Sequence, residues 1–457
     1  MPVASRDNIV NSHSDTRVQG VPVRRQLLER IADARRRSDA LFDIVRPDSI
    51  YERPIPERHR IIFYVGHLEA FDWNLLHENV LGLKSFHPEF DRLFAFGIDP
   101  VGGGLPSDQP ADWPSLNVVR DYVSRIRTAL DEKLLDGSLE LFSRTRDGFP
   151  LDTLLNVAIE HRLMHVETLA YMLHQLPLNR KVPPDSSLSL TTPPITHQMI
   201  SIPTGMATLG LLRGGDTFGW DNEFEAHTVE VPAFEIDRYE VTNRQFLEFM
   251  AAGGYETRAF WSDDDWNWKS AHAVTHPVFW TKAVEGRRYR AMFEEIPLPL
   301  DWPVYVSHAE AMAYARWAGK SLPTEEQWHR AAYGSPDGNE RQYPWGSEAP
   351  NSSLGNFDFN HWNPTPVNAF PEGRSAFGVH DMLGNGWEWT SSVFAPFAGF
   401  EAFPFYRGYS AEFFDGKHFV MKGGSPRTAA CMLRATFRNW FQAHYQYVYA
   451  GFRCVKP

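Results

Sequence analysis

"EHRLMHVETLAYML", residues 160–173, sets two histidines four residues apart inside an apolar helical run, and its reading decides what kind of fold the first third of the chain forms. Leu151, Leu154, Ala158, His161, His165, Thr168 and Met172 recur at alternating intervals of three and four, so both imidazoles fall on one helical stripe, facing the interior of a bundle. Buried imidazoles cost desolvation unless each finds a partner, and the i, i+4 spacing is also one at which two helical side chains reach a single metal ion. On this helix alone, satisfied core histidines and metal ligands are equally good readings. Glu167 would complete an HxxxHxE string. It lies two residues beyond His165, about 200° around the axis, so a supporting role suits it better than ligation.

Working outward, the same helical texture extends over residues 18–176. Leu27, Ile31, Ala34, Ser38, Leu41 and Val45 keep the three-and-four spacing, "RIIFYVGHLEAFDWNLL" and "NVVRDYVSRIRTALDEKLL" repeat it, and Pro150 opens the fourth run. Four runs of this length predict a four-helix bundle, with "GIDPVGGGLPSDQPADWPSL" as its irregular crossover. Phe63, His67, Ala70 and Asn74 form the inner stripe of the second helix, which lets His67 face His161 and His165 as a third ligand. Three neutral imidazoles leave an ion cationic with open positions, which suits iron or copper oxygen chemistry and also zinc hydrolysis. The string is not HExxH, so a zinc protease lacks its general base.

Residues 177–198, "PLNRKVPPDSSLSLTTPPITHQ", read as a Pro/Ser/Thr-rich linker. From 199 to 457 the pattern changes to short strand-like pieces, Gly and Pro turns and most of the tryptophans, with helical periodicity only in "NRQFLEFMAAG" and "HAEAMAYARWAGK". A multidomain α+β chain is expected. Its 457 residues exceed one ordinary core, and a net charge of -12 without a basic tract argues against nucleic acid. Two cysteines, Cys431 and Cys454, exclude a disulfide framework and fit a reducing, cytoplasmic setting. A polar start without an apolar segment, and no run near the roughly 20 apolar residues a span needs, predict an unexported chain with no membrane partner.

The bundle resembles the DinB-like domain. The C-terminal half resembles the formylglycine-generating-enzyme type of C-type-lectin-like domain, through "FEIDRYEVTNRQFLEFM", "WPVYVSHAEAMAYARWAGKSLPTEEQWHRAA", "YPWG", "FGVHDMLGNGWEWTSS", "KGGS" and "AGFR", in that order. Copper-dependent formylglycine generation needs two cysteines after the GGS segment, where this chain has Thr428 and Leu433, so that activity is not expected. The fusion of the two domains, with a bundle histidine plus HxxxHxE, is similar to the ergothioneine-type sulfoxide synthases, non-heme iron enzymes that join a thiol to an imidazole carbon. The resemblance implies Fe(II) held by His67, His161 and His165. It implies Tyr406 and Tyr409 of "FPFYRGYSAEFF" as the YxxY pair, Tyr406 donating a proton during oxygen activation, and Asn439 and Trp440 of "FRNW" as residues that hold hercynine, the trimethylated histidine. A trimethylammonium favours aromatic faces, which Trp440 and Tyr409 supply.

The chain departs from that pattern at the co-substrate end. The Asp and Arg that follow FRNW in mycobacterial-type relatives are Phe441 and Tyr445 here, the Gln before the second helix histidine is Met164, and an Arg-rich loop is replaced by "GIDPVGGGLPSDQP". A zwitterion between Phe441 and Tyr445 would leave its charges unpaired at a cost of several kcal/mol. A neutral donor is therefore expected, which points to the selenoneine synthase branch: hercynine, a selenosugar and O2, giving a selenoxide. Joining hercynine to cysteine or γ-glutamylcysteine is the alternative. Asp381, Gly384, Gly386 and Glu388 of "DMLGNGWEW" match a structural calcium site of the related fold and equally suit plain turn chemistry. A lectin-like binding module and a zinc hydrolase stand as readings from other classes.

Overall fold

A computed structural model describes residues 16–78, 80–95, 105–136, 148–184, 192–215, 217–283 and 286–457, with side chains from Arg24 onward. The polar start, part of the Gly/Pro crossover and part of the Pro/Ser/Thr linker lie outside the described residues.

All four helical runs form helices: α1 (Thr16–Asp43), α2 (Ile61–Leu76), α4 (Leu116–Leu134) and α5 (Leu151–Gln175), with a short α3 (Pro88–Leu93) between the second and third. Pro88 sits in the first turn of α3, and the His87 ring accepts the Phe90 N–H at its start. On α4 the buried residues Val119, Tyr122, Ile126, Leu130 and Leu134 trace a single stripe. Burying a side chain of this size contributes about 1.5–3 kcal/mol. α5 differs, because it is buried around its whole circumference from Val157 to His174, Met164 alone keeping partial exposure. Asn74 does not lie on the inner stripe expected for α2. It is exposed and bonds outward to the Asp91 carbonyl, while Phe63, His67 and Ala70 are buried.

The chain divides into two compact units, and the division falls inside α5, after Arg162. The first unit comprises 1–39, 63–97 and 113–162, and the second 40–62, 98–112 and 163–457. The C-terminal half of α5 joins the second unit because its side chains bond there: Glu167 alone takes hydrogen bonds from Trp387, Ser425 and Thr428.

In the second unit the strands make four small sheets among the described residues. β1 (Met199–Ile202), β4 (Phe234–Asp237) and β12 (Val455–Lys456) form one, β2 (Gly205–Leu209) and β3 (His227–Val231) another, and β5 (Trp280–Ala283), β6 (Gly286–Arg290) and β7 (Glu295–Pro297) a third. The fourth, in the order β10 (Asn439–Gln442), β9 (His418–Gly424), β8 (Gly386–Val393), β11 (Ala450–Gly451), matters most for function. β10 pairs antiparallel with β9, setting Trp440 opposite Val420 and Phe441 opposite Phe419.

α6 (Asn243–Ala251) and α8 (His308–Trp317) form where the periodicity predicts them, each opened by a reciprocal cap, Thr242 with Gln245 and Ser307 with Glu310. Two further helices were not legible as periodic: α7 (Asp263–Ala271), which buries no residue, and α9 (Glu325–Tyr333), which is buried on most sides and capped by Thr324 and Gln327. Trp328 of α9 packs with Phe357, Met382, Ile236 and Val379 in the core. No helix among the described residues is long and apolar enough to cross a membrane.

Candidate metal centre and substrate face

In the first unit, His67 on α2 and His161 on α5 face each other with ring centroids 5.4 Å apart. The Phe63 ring lies on His67 (4.8 Å, 20°) and the Phe71 ring on His161 (3.4 Å, 12°), so aromatic walls fix both imidazole planes. His67 Nδ1 lies 2.7 Å from the Phe94 carbonyl oxygen. A carbonyl only accepts, so Nδ1 carries the proton and the Nε2 lone pair is presented for ligation. His165 follows one turn along α5, and one ligand atom from each of His67, His161 and His165 lies within 4.8 Å of the others, all three buried. The structure thus brings together the three imidazoles that the periodicity had aligned. An uncharged nitrogen set of this kind fits a divalent ion such as iron(II) and leaves its charge uncompensated for an anionic co-ligand.

Beside these histidines lies a buried ion network. Arg162 donates to both oxygens of Glu69 (3.0 and 2.8 Å), to Asp72 (2.6 Å) and to the Leu68 carbonyl (3.0 Å). Leu68 adjoins His67 and Arg162 adjoins His161, so this guanidinium ties the two ligand-bearing helices together. Burial works to raise the Glu69 carboxyl, but Arg162, Arg127 and Arg35 bring it down to about 2.

Glu167 is no ligand in this arrangement. Its carboxylate accepts from Trp387 Nε1 at 2.7 Å, Ser425 Oγ at 2.5 Å and Thr428 Oγ1 at 2.9 Å. Thr428, which stands at one of the two cysteine positions of formylglycine generation, serves here as a structural donor. Cys431 is exposed and Cys454 buried, and no disulfide joins them.

The residues expected to hold hercynine form a second group, within the second unit. Tyr409 donates to Met164 Sδ at 3.5 Å, which joins the tyrosine loop to the residue before His165. Tyr406 and Tyr409 lie 5.6 Å apart, and Tyr409 meets the Trp440 ring edge-on at 5.4 Å. Trp440 is stacked on Phe394 (4.2 Å, 6°), while Asn439 Oδ1 accepts the Trp440 N–H at 2.9 Å. Loss of water, and then the nearby Asp221 carboxylate, push the Tyr406 phenol well above its ordinary range, so it holds its proton at neutral pH. Sequence reasoning missed Trp220, whose ring lies flat on Tyr409 (4.0 Å, 25°).

Phe441 and Tyr445 are brought together as a stacked pair, 4.9 Å apart. The expectation that this end carries no charge needs correction. Arg58, only 5% exposed, donates to Tyr445 Oη (3.0 Å) and to Tyr171 Oη (3.1 Å), and its guanidinium lies 5.0 Å from the Tyr445 ring centre. The cation comes from 387 residues upstream, which is why the local sequence reads as neutral.

At the expected calcium residues a guanidinium already supplies the positive charge. Arg453 Nε and Nη2 each donate to Glu388 at 2.6 Å, and Trp328 Nε1 adds a bond at 3.0 Å. Asp381 accepts from Asn385 at 3.2 Å, with its carboxyl raised by burial to about 7. Calcium binding through Glu388 would have to displace Arg453. Gly384 has φ of +93° and the Asn356 carbonyl 2.7 Å from where a Cβ would stand, a turn that only glycine fits without strain.

Comparison with known proteins agrees with this layout. Residues 30–169 match the DinB superfamily and residues 188–457 the sulfatase-modifying factor enzyme 1-like domain. The hercynine oxygenase of Mycolicibacterium thermoresistibile is 33% identical over 444 residues, covering 95% of each chain. That of Mycolicibacterium smegmatis is 36% identical, covering 80% of this chain and 83% of its own. Ergothioneine biosynthesis protein 1 of Neurospora crassa is 28% identical, and this chain, matched over 90% of its length, spans 55% of that protein.

Proposed function

The chain belongs to the hercynine oxygenase family, and on that premise we propose that it is an iron(II)- and O2-dependent enzyme that joins a thiol to the imidazole carbon between the two ring nitrogens of hercynine, giving a sulfoxide. The observation that carries the reading is the buried cluster of His67 from α2 with His161 and His165 from α5, the helix that also bears Met164, the contact of Tyr409. The reaction balances without an added reductant. The thiol and the imidazole each give up one hydrogen, one oxygen atom becomes the sulfoxide and the other leaves as water. Iron held by the three imidazoles would supply the redox chemistry with O2 and a coordination sphere in which the two substrates meet.

The remaining roles fall to the protein's own groups. Tyr409 and Trp440, at right angles to one another, offer faces to the trimethylammonium. Tyr406, protonated at neutral pH, delivers its phenolic proton during turnover. Arg58, beside Phe441 and Tyr445, favours an acidic thiol such as cysteine or γ-glutamylcysteine. A second reading has a specific support of its own. Phe441 and Tyr445 stack as an uncharged pair, a surface that suits a sugar ring, and this keeps a selenosugar as the competing donor and selenoneine synthesis as the competing outcome.

The test is to offer iron-loaded protein hercynine with γ-glutamylcysteine, with cysteine and with a selenosugar, to follow oxygen uptake, and to identify products by mass. A thiol adduct carrying one added oxygen and two fewer hydrogens is expected. Exclusive turnover of the selenosugar would replace the first reading by the second, and absence of oxygen uptake with every donor would remove both. His161→Ala should abolish stoichiometric iron, and iron content equal to wild type would show the ligand set to be misplaced.

A further inference from the structure

Tyr406 and Tyr409 sit on a segment without regular secondary structure, residues 403–410, built as two successive turns. The Tyr406 N–H donates to the Phe403 carbonyl at 3.1 Å and the Tyr409 N–H to the Tyr406 carbonyl at 3.2 Å. Arg407 and Gly408 at its tip are exposed, whereas Phe403, Tyr409 and Ser410 are buried. Two local hydrogen bonds of about 1 kcal/mol each cannot hold such a loop against its backbone entropy, so its geometry must be imposed from outside.

Asp221, which is fully buried, stands where such a constraint would act. Its Oδ1 accepts the Ser410 hydroxyl at 2.6 Å. The carboxylate therefore anchors the C-terminal end of the tyrosine segment, at the residue next to Tyr409. The neighbours of Asp221 continue the same surface: Trp220 lies flat on Tyr409, and the Asn222 carbonyl accepts from Arg438, the residue before Asn439 and Trp440. The turn is itself anchored, since Glu223 receives Arg434 Nε at 2.8 Å, Thr436 Oγ1 at 2.6 Å and the Trp220 N–H at 2.9 Å.

We infer that Asp221 is a positioning residue: by holding Ser410 beside Tyr409, with Trp220 lying on the Tyr409 ring, it sets the placement of Tyr406 and Tyr409 against Trp440 and Met164. The inference rests on the reading that these side chains serve hercynine oxygenation. Asp221 does not touch the reacting atoms in this scheme and works through the two tyrosines.

The first measurement needs no activity. Arg407 is an exposed trypsin site at the tip of the clamped segment, and cleavage there reports local opening. Asp221→Ala should accelerate cleavage after Arg407 by roughly tenfold to a hundredfold, the range expected for losing a hydrogen bond to a charged group, with Asp221→Asn closer to wild type. Should Asp221→Ala unfold and be cut everywhere, Ser410→Ala decides instead, since it removes only the loop's own hydroxyl and should accelerate the same cut to a lesser degree. The second measurement is a cycle with Tyr406→Phe, scored on sulfoxide yield per O2 consumed. If Asp221 acts in part through Tyr406, then Asp221→Ala/Tyr406→Phe should lose less than the product of the two single losses, with iron content unchanged. An Arg407 cleavage rate equal to wild type in folded variants, or fully multiplicative losses in the cycle, would overturn the inference. If wild-type protein oxygenates hercynine with no donor, the functional reading falls while the cleavage rates still decide whether Asp221 clamps the loop.

Discussion

Arg162→Met would test whether the ligand-bearing helices are held together electrostatically. The guanidinium makes two bonds to Glu69, one to Asp72 and one to the Leu68 carbonyl, and methionine keeps most of its hydrocarbon volume while removing all of them. Glu69 retains Arg127 at 2.8 Å, so Asp72 is the carboxylate left stranded. Breaking a buried pair by removing one partner costs about 3–5 kcal/mol. Local opening of α2 should then become on the order of a hundredfold to a few thousandfold more frequent, read as faster amide exchange in peptides spanning 61–76 at pH 7. Adding Asp72→Asn should recover part of the loss, because burial already raises that carboxyl and an amide carries no charge to strand.

The sign of the pH dependence follows from Glu69. Its folded value of about 2 lies below the ordinary 4.5, so the stabilisation, about 3 kcal/mol, is present above pH 4.5 and is lost as pH falls toward 2. The difference between wild type and Arg162→Met in urea midpoint should therefore shrink between pH 7 and pH 3.5. Exchange in α2 within threefold of wild type, or a midpoint difference equal at both pH values, would refute the reasoning.

Three further outcomes are expected. Asp381 is raised by burial from its ordinary 3.8 to about 7, so folding favours its protonated form and stability is lost as pH rises through that range. Asp381→Asn should then stabilise the protein at pH 8 by up to about 4 kcal/mol and do little at pH 4, checked by thermal unfolding without added calcium. Glu167→Gln leaves one acceptor oxygen for three donors, of which Trp387 cannot reverse its role, and should cost about 1.5–3 kcal/mol in protection of residues 421–428 with iron content retained. Arg58→Leu should raise the KM for γ-glutamylcysteine about tenfold or more while leaving the KM for hercynine near wild type, whereas equal changes in both would assign Arg58 to packing alone.

How far the sequence could be read followed from the range of the interactions involved. The histidine cluster was legible because helical periodicity is local: His161 and His165 share a stripe by spacing, and only the pairing of α2 with α5 had to be supplied for His67 to meet them. The same logic overreached at Asn74, where the buried face of α2 passes through Trp73 and Leu76 instead. α9 escaped notice because it is only nine residues long and buries Glu325, His329 and Arg330 among its apolar side chains, and α7 because a nine-residue polar helix rests on its Ser262 cap rather than on an apolar stripe.

What could not be read were charges delivered across the chain. Phe441 and Tyr445 look neutral in sequence, yet Arg58 stands against Tyr445, and Glu388 looks like a metal ligand until Arg453 is found bonded to it. In both places the residue that fixes the electrostatics lies tens to hundreds of positions away. A substitution at an aligned position therefore does not by itself remove a charge from the site. A cation brought from another element can act on the same volume, and donor specificity inferred from one strand has to be weighed against every charged group that the fold returns to it. On that argument Arg58 shifts the balance from a neutral sugar toward an acidic thiol, and the relative KM values of the two donors in Arg58→Leu are where the two readings separate: loss confined to the thiol supports the first, and loss confined to the sugar supports the second.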